Sequence, residues 1–317
     1  MSTLRVRISS ARVLARDIRE LRLVAVDGHT LPAYDPGAHI DLHLSPGIVR
    51  QYSLCGPPAD ATAYTIAVKR ETTSRGGSRK VHMLEVGEEL DISAPRNHFL
   101  MAAPARHTVL VGAGIGITPL LAMAHRLVAE NQAFTLLYFS RSTEDAAYLD
   151  MLQAPPFAEH CSVFLGLERD AVREALRQRL GTPDAQVHVY LCGPRPFMDL
   201  VHEVTAHWPS GHVHHEYFGA DPAAARAPSS GFRVRLAQQD LQFDIPPDRS
   251  IADVLLAHGV DVPTSCEQGV CGTCITTVLE GTPDHRDSFL SQKEHARADC
   301  MAICVSRARS PVLVLDL

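Results

Sequence analysis

The sequence lacks any apolar run that approaches the roughly 20 residues of a transmembrane helix. It also lacks an excess of positive charge, since 30 Lys and Arg residues stand against 36 Asp and Glu residues and give a net charge of −6. A negative chain is a poor ligand for nucleic acid or for an anionic membrane surface, so we expect neither as a partner. The first residues, MSTLRVRISS, contain no signal-peptide core, and we therefore expect a cytoplasmic protein.

Structural disulfides are also not expected, because thiols in the cytoplasm are kept reduced. The chain nevertheless contains 8 cysteines. Five of these 8 lie between positions 266 and 304, so they are far from evenly distributed. Their concentration in one part of the chain indicates a shared chemical role for that part.

Two kinds of pattern divide the first two thirds of the chain, whose 317 residues suggest two or three domains. Residues 1–102 contain short segments rich in β-branched residues and separated by Gly, Pro and Asp, which predicts a small antiparallel barrel or sandwich. From residue 103, buried strands alternate with amphipathic helices, and this alternation predicts a parallel α/β sheet. We therefore place the first domain at 1–102 and the second at 103–226.

The last part of the chain follows a stretch rich in Ala, Pro and Ser, residues 219–231, which is typical of a linker. We place a third domain at 227–317, where two strands around a polar turn precede a short helix. The last 87 residues carry 8 Lys and Arg against 12 Asp and Glu, so this part is the most acidic for its size. An acidic surface of this kind suits a basic docking surface on a partner.

The cysteine-rich stretch CEQGVCGTC gives Cys266, Cys271 and Cys274 the spacing C-x4-C-x2-C, and Cys304 follows in the segment CVSRA. This is the arrangement of plant-type [2Fe–2S] ligands. A zinc site is the alternative, because Cys300 and Cys304 also form a C-x3-C pair. The segment CVSRA resembles the fourth-ligand segment of ferredoxins, so we interpret Cys300 as a neighbour of the cluster and not as a ligand.

Glycines Gly269 and Gly272 lie between these cysteines. They suit a loop that brings backbone N–H groups close to inorganic sulfide without crowding from Cβ atoms.

A glycine-rich turn in the second domain is typical of phosphate binding. In VLVGAGIGITPLLAMA, three glycines with the pattern G-x-G-x-G directly follow a strand, and Ile117 takes the place of the last glycine of a Rossmann G-x-G-x-x-G motif. Thr118 is predicted to be the N-cap of the next helix, with Pro119 at its first position. The start of that helix would then face a phosphate, although the turn alone could also lack a ligand.

A second segment, YLCGPRPFM, ends the last parallel strand with Cys192, Gly193 and Pro194. Because ligands of open α/β sheets bind at the carboxyl ends of the strands, we expect this segment and the glycine-rich turn to border one crevice. Arg141, after the strand FTLLYFS, could hold the 2′-phosphate of NADPH.

Two segments of the first domain combine positive charge with small or aromatic side chains. RQYSL (50–54) offers Arg50 for a phosphate, Tyr52 for stacking on a planar ring and Ser53 for a hydrogen bond to a ring nitrogen. RGGS (75–78), before a short helix, is suited to cradle a phosphate. Taken alone, each segment is also compatible with a half-exposed strand or a solvated basic loop.

In this order, RQYSL, RGGS, VGAGIGITPLLAMA, YLCGPRPFM and CEQGVCGTC…CVSRA resemble the phthalate dioxygenase reductase family, which includes vanillate O-demethylase reductases. The resemblance covers nearly the whole chain. Each motif is shared with the wider ferredoxin-reductase superfamily, whereas the order with ferredoxin at the C-terminus is specific. It implies a multidomain protein with an antiparallel β-barrel flavin domain, an α/β parallel-sheet nucleotide-binding domain and a C-terminal β-grasp plant-type ferredoxin domain.

The resemblance also implies an electron relay from NADH through FMN to a [2Fe–2S] cluster, and then to a separate Rieske-type oxygenase of phthalate- or vanillate-like compounds. Since hydride transfer is the chemistry of the cofactors themselves, no acid–base catalytic residue is expected. The complex with the oxygenase is expected to be transient, and the chain to be a monomer. NADH is preferred to NADPH on the resemblance, despite Arg141.

The same resemblance assigns residues to each cofactor. The expected FMN contacts are Arg50, Gln51, Tyr52, Ser53, Ala67, Val68, Lys69, Arg75, Gly76, Gly77 and Ser78, with Phe218 of the segment HHEYFG (214–219) shielding the ring. The expected NADH contacts are Gly112, Gly114, Gly116, Ile117, Thr118, Arg141, Cys192, Gly193 and Pro194. The expected cluster ligands are Cys266, Cys271, Cys274 and Cys304.

Two other functions are compatible with these motifs. An iron–sulfur flavoprotein reductase of another one-electron acceptor, such as a cytochrome P450, would contain the same segments. A redox sensor would carry the cluster without turnover, and NADH would reduce it slowly or not at all.

Overall fold

Six strands near the N-terminus close into an antiparallel barrel in the computed structural model, which describes residues 3–45, 48–72, 76–102, 105–219 and 230–317. The strands are β1 (Thr3–Ala15), β2 (Ile18–Ala25), β3 (Ala38–Ser45), β4 (Ile48–Ser53), β5 (Tyr64–Lys69) and β6 (Glu89–Ser93), and the short β7 (Arg96–Asn97) pairs with β3. Their order is β4-β3-β6-β1-β2-β5. An antiparallel bridge between Leu54 and Ile66 joins the two ends of this order, and the barrel prediction is confirmed.

The alternation of side chains along the barrel strands builds its core. In β1, Val6 and Ile8 are fully buried, whereas Val13 is 79% exposed. Residues two apart on a strand point to the same side, so the inward set of every strand contributes to one apolar interior. Helix α1 (Gly77–Met83) lies beside β3, β4 and β5 and adds Val81 to this core.

A five-stranded sheet follows in which every pairing is parallel. Its strands are β8 (His107–Ala113), β9 (Phe134–Ser140), β10 (Cys161–Leu165), β11 (Val187–Cys192) and β12 (Val213–Glu216), in the order β10-β9-β8-β11-β12. The connecting helices are α2 (Ile117–Ala129), α3 (Leu149–Leu152), α4 (Arg169–Leu180) and α5 (Arg195–Thr205). The strand order reverses between β8 and β11, and ligands bind at such a reversal in open α/β sheets.

The barrel and the parallel sheet share one apolar cluster, in which Ile18 and Ala67 of the barrel are grouped with Leu110 and Tyr138 of the sheet. A polar contact accompanies it, because the thiol of Cys55 lies 3.2 Å from the hydroxyl of Tyr148. The two sheets therefore belong to one compact unit, Met1–Glu216.

The second unit, Tyr217–Leu317, is built on a mixed sheet. Its strands are β13 (Phe232–Leu236), β14 (Leu241–Ile245), β15 (Ile275–Glu280), β17 (Cys300–Ala302) and β19 (Val312–Leu315), in the order β14-β13-β19-β15-β17, while β16 (Pro283–Asp284) pairs with β18 (Arg307–Ala308). Its helices are α6 (Ile251–Ala257) and α7 (Gln292–Arg297), and each begins with a capping box. A hairpin, a packed helix and a parallel pair of β13 with β19 make up the expected β-grasp fold.

The predicted domain boundaries stay predictions. Residues 103 and 226, and most of the predicted linker 219–231, lie outside the described residues. Among the described residues, no helix has both the length and the apolar character that crossing a membrane requires.

Two valines of β1 give a matched test of the barrel core. Val6→Ala removes buried methyl groups and should lower the free energy of unfolding by about 2 kcal/mol, because their transfer from water is lost and a cavity remains. Val13→Ala, in the same strand but exposed, should change it by less than about 0.5 kcal/mol. Urea unfolding of the two variants measures the difference, and equal effects would contradict the assigned inward face.

Candidate functional site

The glycine-rich turn and the end of β11 meet at the strand reversal of the parallel sheet. Gly112 and Cys192 are paired residues of the adjacent strands β8 and β11. A Cβ atom on Gly116 would overlap the carbonyl group of Cys192 and lie 2.6 Å from the amide nitrogen of Gly193. Only glycine permits this approach, so the turn lies directly against Cys192 and Gly193, and the ligand crevice that they would border stays a prediction.

The start of α2 differs from the sequence prediction. The helix begins at Ile117 with Gly116 as its N-cap, and Thr118 is not the cap. Instead, the Thr118 hydroxyl donates a hydrogen bond to the carbonyl of Ile115, at 3.0 Å. A short 3₁₀ turn, Gly114–Gly116, precedes α2, so helical structure begins earlier in the chain than the sequence pattern indicated. Ile117 and Thr118 are both buried.

Arg141 lies at the same carboxyl edge, directly after β9, and its side chain is exposed. In the loop that follows, the Ser142 hydroxyl donates to the carboxylate of Asp145 at 3.1 Å. Arg16 lies beside this loop, with its amide donating to the Glu144 carbonyl at 2.6 Å. The loop therefore presents one guanidinium group and two carboxylates near the end of β9.

Glu216 is a residue of this edge that the sequence argument missed. It pairs with Cys192 across β11 and β12, and its Oε2 is buried without a hydrogen-bond partner among the described residues. Burial raises the pKa of Glu216 to about 8. Burial, with Glu216 as a further cause, also raises the pKa of the Cys192 thiol well above its usual value. The sequence indicates a role for Glu216 only through its position, as a carboxylate at the end of a strand and directly before Tyr217.

The residues predicted to bind the flavin lie on β4, β5 and the start of α1. The bridge between Leu54 and Ile66 brings the end of β4 beside β5, and therefore Ser53 close to Ala67. Gly77 lies against the Arg50 side chain, since a Cβ atom there would be 2.5 Å from Cγ of Arg50. The segments RQYSL and RGGS are thus adjacent in space, although far apart in the sequence.

Individual side chains of this face differ in their surroundings. Burial raises the pKa of Tyr52, while Val68 presents its carbonyl oxygen to Nε2 of His82 at 2.8 Å. The Ser78 hydroxyl accepts a hydrogen bond from the amide of Glu71 at 3.1 Å. Nε2 of Gln51 is buried without a partner among the described residues, which leaves a donor for a ligand.

The remaining residues predicted for this face are not all placed. Lys69 ends β5 and lies 3.8 Å from Glu71, and Gly76 is the N-cap of α1. Arg75 lies outside the described residues. Phe218 belongs to the second unit and is 40% exposed, so its contact with a flavin stays a prediction.

Four buried cysteines converge in the second unit. Cys266, Cys271, Cys274 and Cys304 are between 2% and 9% exposed. The pairing of Ile275 with Ala302 in β15 and β17 places the residues beside these strands together, and the sulfurs of Cys274 and Cys304 lie 3.1 Å apart.

None of the 8 cysteines forms a disulfide. Hydrogen bonds from the thiols of Cys271 and Cys304 lower the pKa of Cys266, and one from Cys304 lowers that of Cys274. Negative charge is thus favoured on Cys266 and Cys274, whereas the hydrogen bonds that Cys271 and Cys304 make to Cys266 raise the pKa of these two thiols. This is a donor set that an iron–sulfur cluster fits, since it takes four thiolates.

Cys300 is not part of this group. It lies on β17, opposite Thr277 on β15, and its thiol hydrogen-bonds to Asp299. Burial and this acidic neighbour raise the pKa of the Cys300 thiol, which disfavours the thiolate. The described contacts therefore favour Cys304 as the fourth sulfur.

The glycines of the cysteine-rich loop are required for packing against the rest of the unit. A Cβ atom on Gly272 would overlap the ring of Phe289, and one on Gly269 would lie 2.5 Å from Cγ2 of Val305. Both glycines also have a positive φ, which is 66° at Gly269 and 71° at Gly272. The missing side chains therefore make room for protein, and the approach of backbone N–H groups to inorganic sulfide stays a prediction.

Comparisons with known proteins cover the whole chain. Residues 234–309 match the model of the 2Fe-2S iron-sulfur cluster binding domain, and residues 92–212 match the N-terminal domain of the dimethylamine monooxygenase subunit DmmA-like family. Vanillate O-demethylase oxidoreductase of Pseudomonas sp. (strain HR199) is 42% identical over 98% of each chain. The solved structure of phthalate dioxygenase reductase is 38% identical, with a TM-score of 0.80, over 100% of this chain and 98% of that one.

A type IV self-sufficient cytochrome P450 monooxygenase contains a similar region. Its structure matches with a TM-score of 0.83 and 35% identity, over 99% of this chain but 41% of that one. This chain therefore corresponds to one part of the larger protein.

Glu216→Gln should change how stability depends on pH. The pKa of Glu216 rises from 4.5 to about 8 on folding, so the folded protein binds the extra proton between these values and loses stability as pH rises through them. The stability of the variant relative to the original protein should therefore increase by about 1.4 kcal/mol per pH unit in this window and level off above it. Urea unfolding at several pH values measures this. Glu203→Gln, at a side chain that is 50% exposed, is the control, and parallel pH profiles for both variants would contradict the assignment.

Serine replacements separate the two candidates for the fourth sulfur. Cys304→Ser should abolish the cluster, because one iron would lose a thiolate from the buried set. Cys300→Ser should leave iron content and visible absorption unchanged. Iron analysis and the absorption spectrum of the purified variants decide this, and the opposite pattern would make Cys300 the ligand.

Proposed function

The chain belongs to the phthalate dioxygenase reductase family, and we propose that it is the reductase component of a Rieske-type oxygenase or O-demethylase of aromatic compounds. Electrons would pass from NADH through FMN to a [2Fe–2S] cluster and on to the oxygenase. The observation that carries the proposal is the set of four buried cysteines without disulfide bonds, in the same chain as the strand reversal of the parallel sheet. One chain would therefore hold both the entry of the electrons and the cluster from which they leave.

Each cofactor would be held by residues of one region. We propose that the four thiolates of Cys266, Cys271, Cys274 and Cys304 bind the cluster. The turn Gly112–Gly116 with Thr118, Arg141 and the segment Cys192–Pro194 would border NADH. Residues of β4, β5 and the start of α1 would hold FMN, with Phe218 against its ring. When bound, these three groups supply the hydride and one-electron chemistry themselves.

Residues of the proposed crevice and of the proposed flavin region would then position the cofactors. Gly116 lets the turn approach β11, so a bound nucleotide can lie directly on the carboxyl ends of the strands. Arg50, beside Gly77, supplies positive charge next to the loop proposed for the flavin phosphate. Gln51 offers a buried amide donor whose partner a ligand could provide.

We propose further that three domains with these roles lie at 1–102, 103–226 and 227–317. The chain would be a cytoplasmic monomer, and the absence of disulfides supports the compartment, since an oxidising compartment would pair the cysteines. It would dock transiently on the oxygenase through the acidic ferredoxin part, whose 12 Asp and Glu outnumber 8 Lys and Arg.

A cytochrome P450 is the second candidate for the electron acceptor. The observation that favours it is the similarity of the whole chain to part of a self-sufficient P450 monooxygenase. This candidate changes the partner only, and the route from NADH to the cluster would be the same.

Anaerobic addition of NADH to the purified protein tests the relay. Flavin and iron–sulfur absorption bands should both bleach quickly, and the released flavin should be FMN. In Cys304→Ser, NADH should still bleach the flavin band but should no longer support reduction of a Rieske-type oxygenase. A comparison of that oxygenase with a P450 as acceptor identifies the partner class. A colourless protein that contains zinc at the four cysteines would overturn the proposal.

A further inference from the structure

A second group of metal-binding side chains lies in the second unit, apart from the four cysteines. His285 and Asp287 follow β16, and His295 lies on α7. One ring nitrogen of each histidine and one carboxylate oxygen of Asp287 all lie within 4.8 Å of one another. We propose that these three side chains bind one divalent transition-metal ion of the zinc class.

The separations between the ligand atoms suit a tetrahedral ion. Nε2 of His295 lies 3.3 Å from Oδ1 of Asp287, and Nδ1 of His285 lies 3.7 Å from the same oxygen. Two ligand atoms bound tetrahedrally to Zn²⁺ at its usual bond lengths lie about 3.4 Å apart. The two imidazole rings are stacked, with centroids 4.3 Å and planes 19° apart, so one ring has to turn before both nitrogen lone pairs point at the same ion.

His285 is the residue that most clearly lacks a partner. Its side chain is 10% exposed, and neither ring nitrogen has a hydrogen-bond partner among the described residues. A buried polar atom without a partner is unfavourable, and such atoms are rare in native proteins unless a water or an ion satisfies them.

Asp287 is held in position to be the third ligand. Its side chain is 0% exposed, and Oδ2 accepts hydrogen bonds from the amides of Phe289 and Leu290, at 3.2 and 2.8 Å. Oδ1 accepts a longer one, of 3.4 Å, from the Ser306 hydroxyl. The backbone therefore fixes the carboxylate, with Nε2 of His295 3.3 Å from both of its oxygens and Nδ1 of His285 3.7 Å from Oδ1.

Two arginines are the nearest competing cations, but both are bound to another carboxylate. Nε of Arg286 lies 3.0 Å from Asp284, and Nε of Arg309 lies 3.3 Å from Asp284. The negative charge of Asp287 is consequently not neutralised by a guanidinium ion pair of its own among the described residues, so it remains available to a metal ion.

The donors indicate the class of metal. Two imidazole nitrogens and one carboxylate favour zinc and related ions, whereas Mg²⁺ and Ca²⁺ prefer oxygen donors throughout. The His295 side chain is 30% exposed, which gives an ion access from solvent and leaves room for water as a fourth ligand. A bound ion would tie α7 to the loop after β16.

That loop also contacts the cysteine-rich loop. The amide of Ser288 donates a hydrogen bond of 2.9 Å to the carbonyl of Gly269, between Cys266 and Cys271. The metal would therefore stabilise a segment that supports the cluster without taking part in electron transfer.

Zinc uptake by the holoprotein tests the site. The protein with its cluster intact is treated with a chelator, equilibrated with Zn²⁺, and analysed for zinc and iron. We expect one zinc ion per chain and no loss of iron. His285→Gln and His295→Gln should each weaken zinc binding about tenfold or more, because one ligand is lost. The control is His258→Gln, in the same unit, whose Nδ1 is bonded to the carbonyl of Val254 at 2.8 Å. It should bind zinc as the original protein does.

X-ray absorption at the zinc edge supplies the second measurement. Nitrogen and oxygen neighbours without sulfur are expected. Sulfur neighbours, loss of iron during uptake, no retained zinc, or equal binding by His258→Gln and the two ligand variants would each overturn the assignment. The visible absorption of the cluster in every variant shows that the unit is folded.

Discussion

The need to bring four sulfurs to one buried point governs the architecture of the second unit. Three of them come from a single loop, and the fourth comes from a segment that must fold back to it. The antiparallel pairing of β15 with β17 achieves this, because Cys274 directly precedes one strand and Cys304 closely follows the other. Gly269 and Gly272 then let the loop pack on Val305 and Phe289. Hydrogen bonds from neighbouring thiols and from the backbone favour negative charge on Cys266 and Cys274, as binding of a metal cluster by thiolates requires.

In the first unit, the comparable constraint is the close approach of backbone atoms at two strand ends. At the strand reversal between β8 and β11, the turn that follows one strand lies against the end of the other, and a single side chain on Gly116 would separate them. Closeness of this kind lets a ligand contact both strand ends at once. The shared apolar cluster of barrel and sheet then holds the flavin face, on β4 and β5, in the same compact unit as the crevice. Packing therefore keeps the two proposed cofactor regions together.

Features that depend on local spacing were predictable from the sequence, and features that depend on tertiary packing were not. The three fold types, the meeting of the turn with Cys192, and the convergence of four cysteines follow from strand patterns and motif intervals. The prediction that Thr118 is the N-cap was wrong, because a 3₁₀ turn begins the helical structure before this residue. Glu216 was missed because nothing in its neighbours shows that its carboxylate would be buried beside Cys192. The group around Asp287 was missed for the same reason, since β16 and α7 bring its members together only in the folded chain.

Three buried polar atoms without partners among the described residues lie on elements of the first unit that we assign to cofactors. They are Nε2 of Gln51 on β4, Oγ of Ser140 at the end of β9, and Oε2 of Glu216 at the end of β12. A buried polar atom is unfavourable unless a partner satisfies it. We infer that ligands bound on β4 and at these strand ends would supply the missing hydrogen bonds, which agrees with the cofactor regions proposed above.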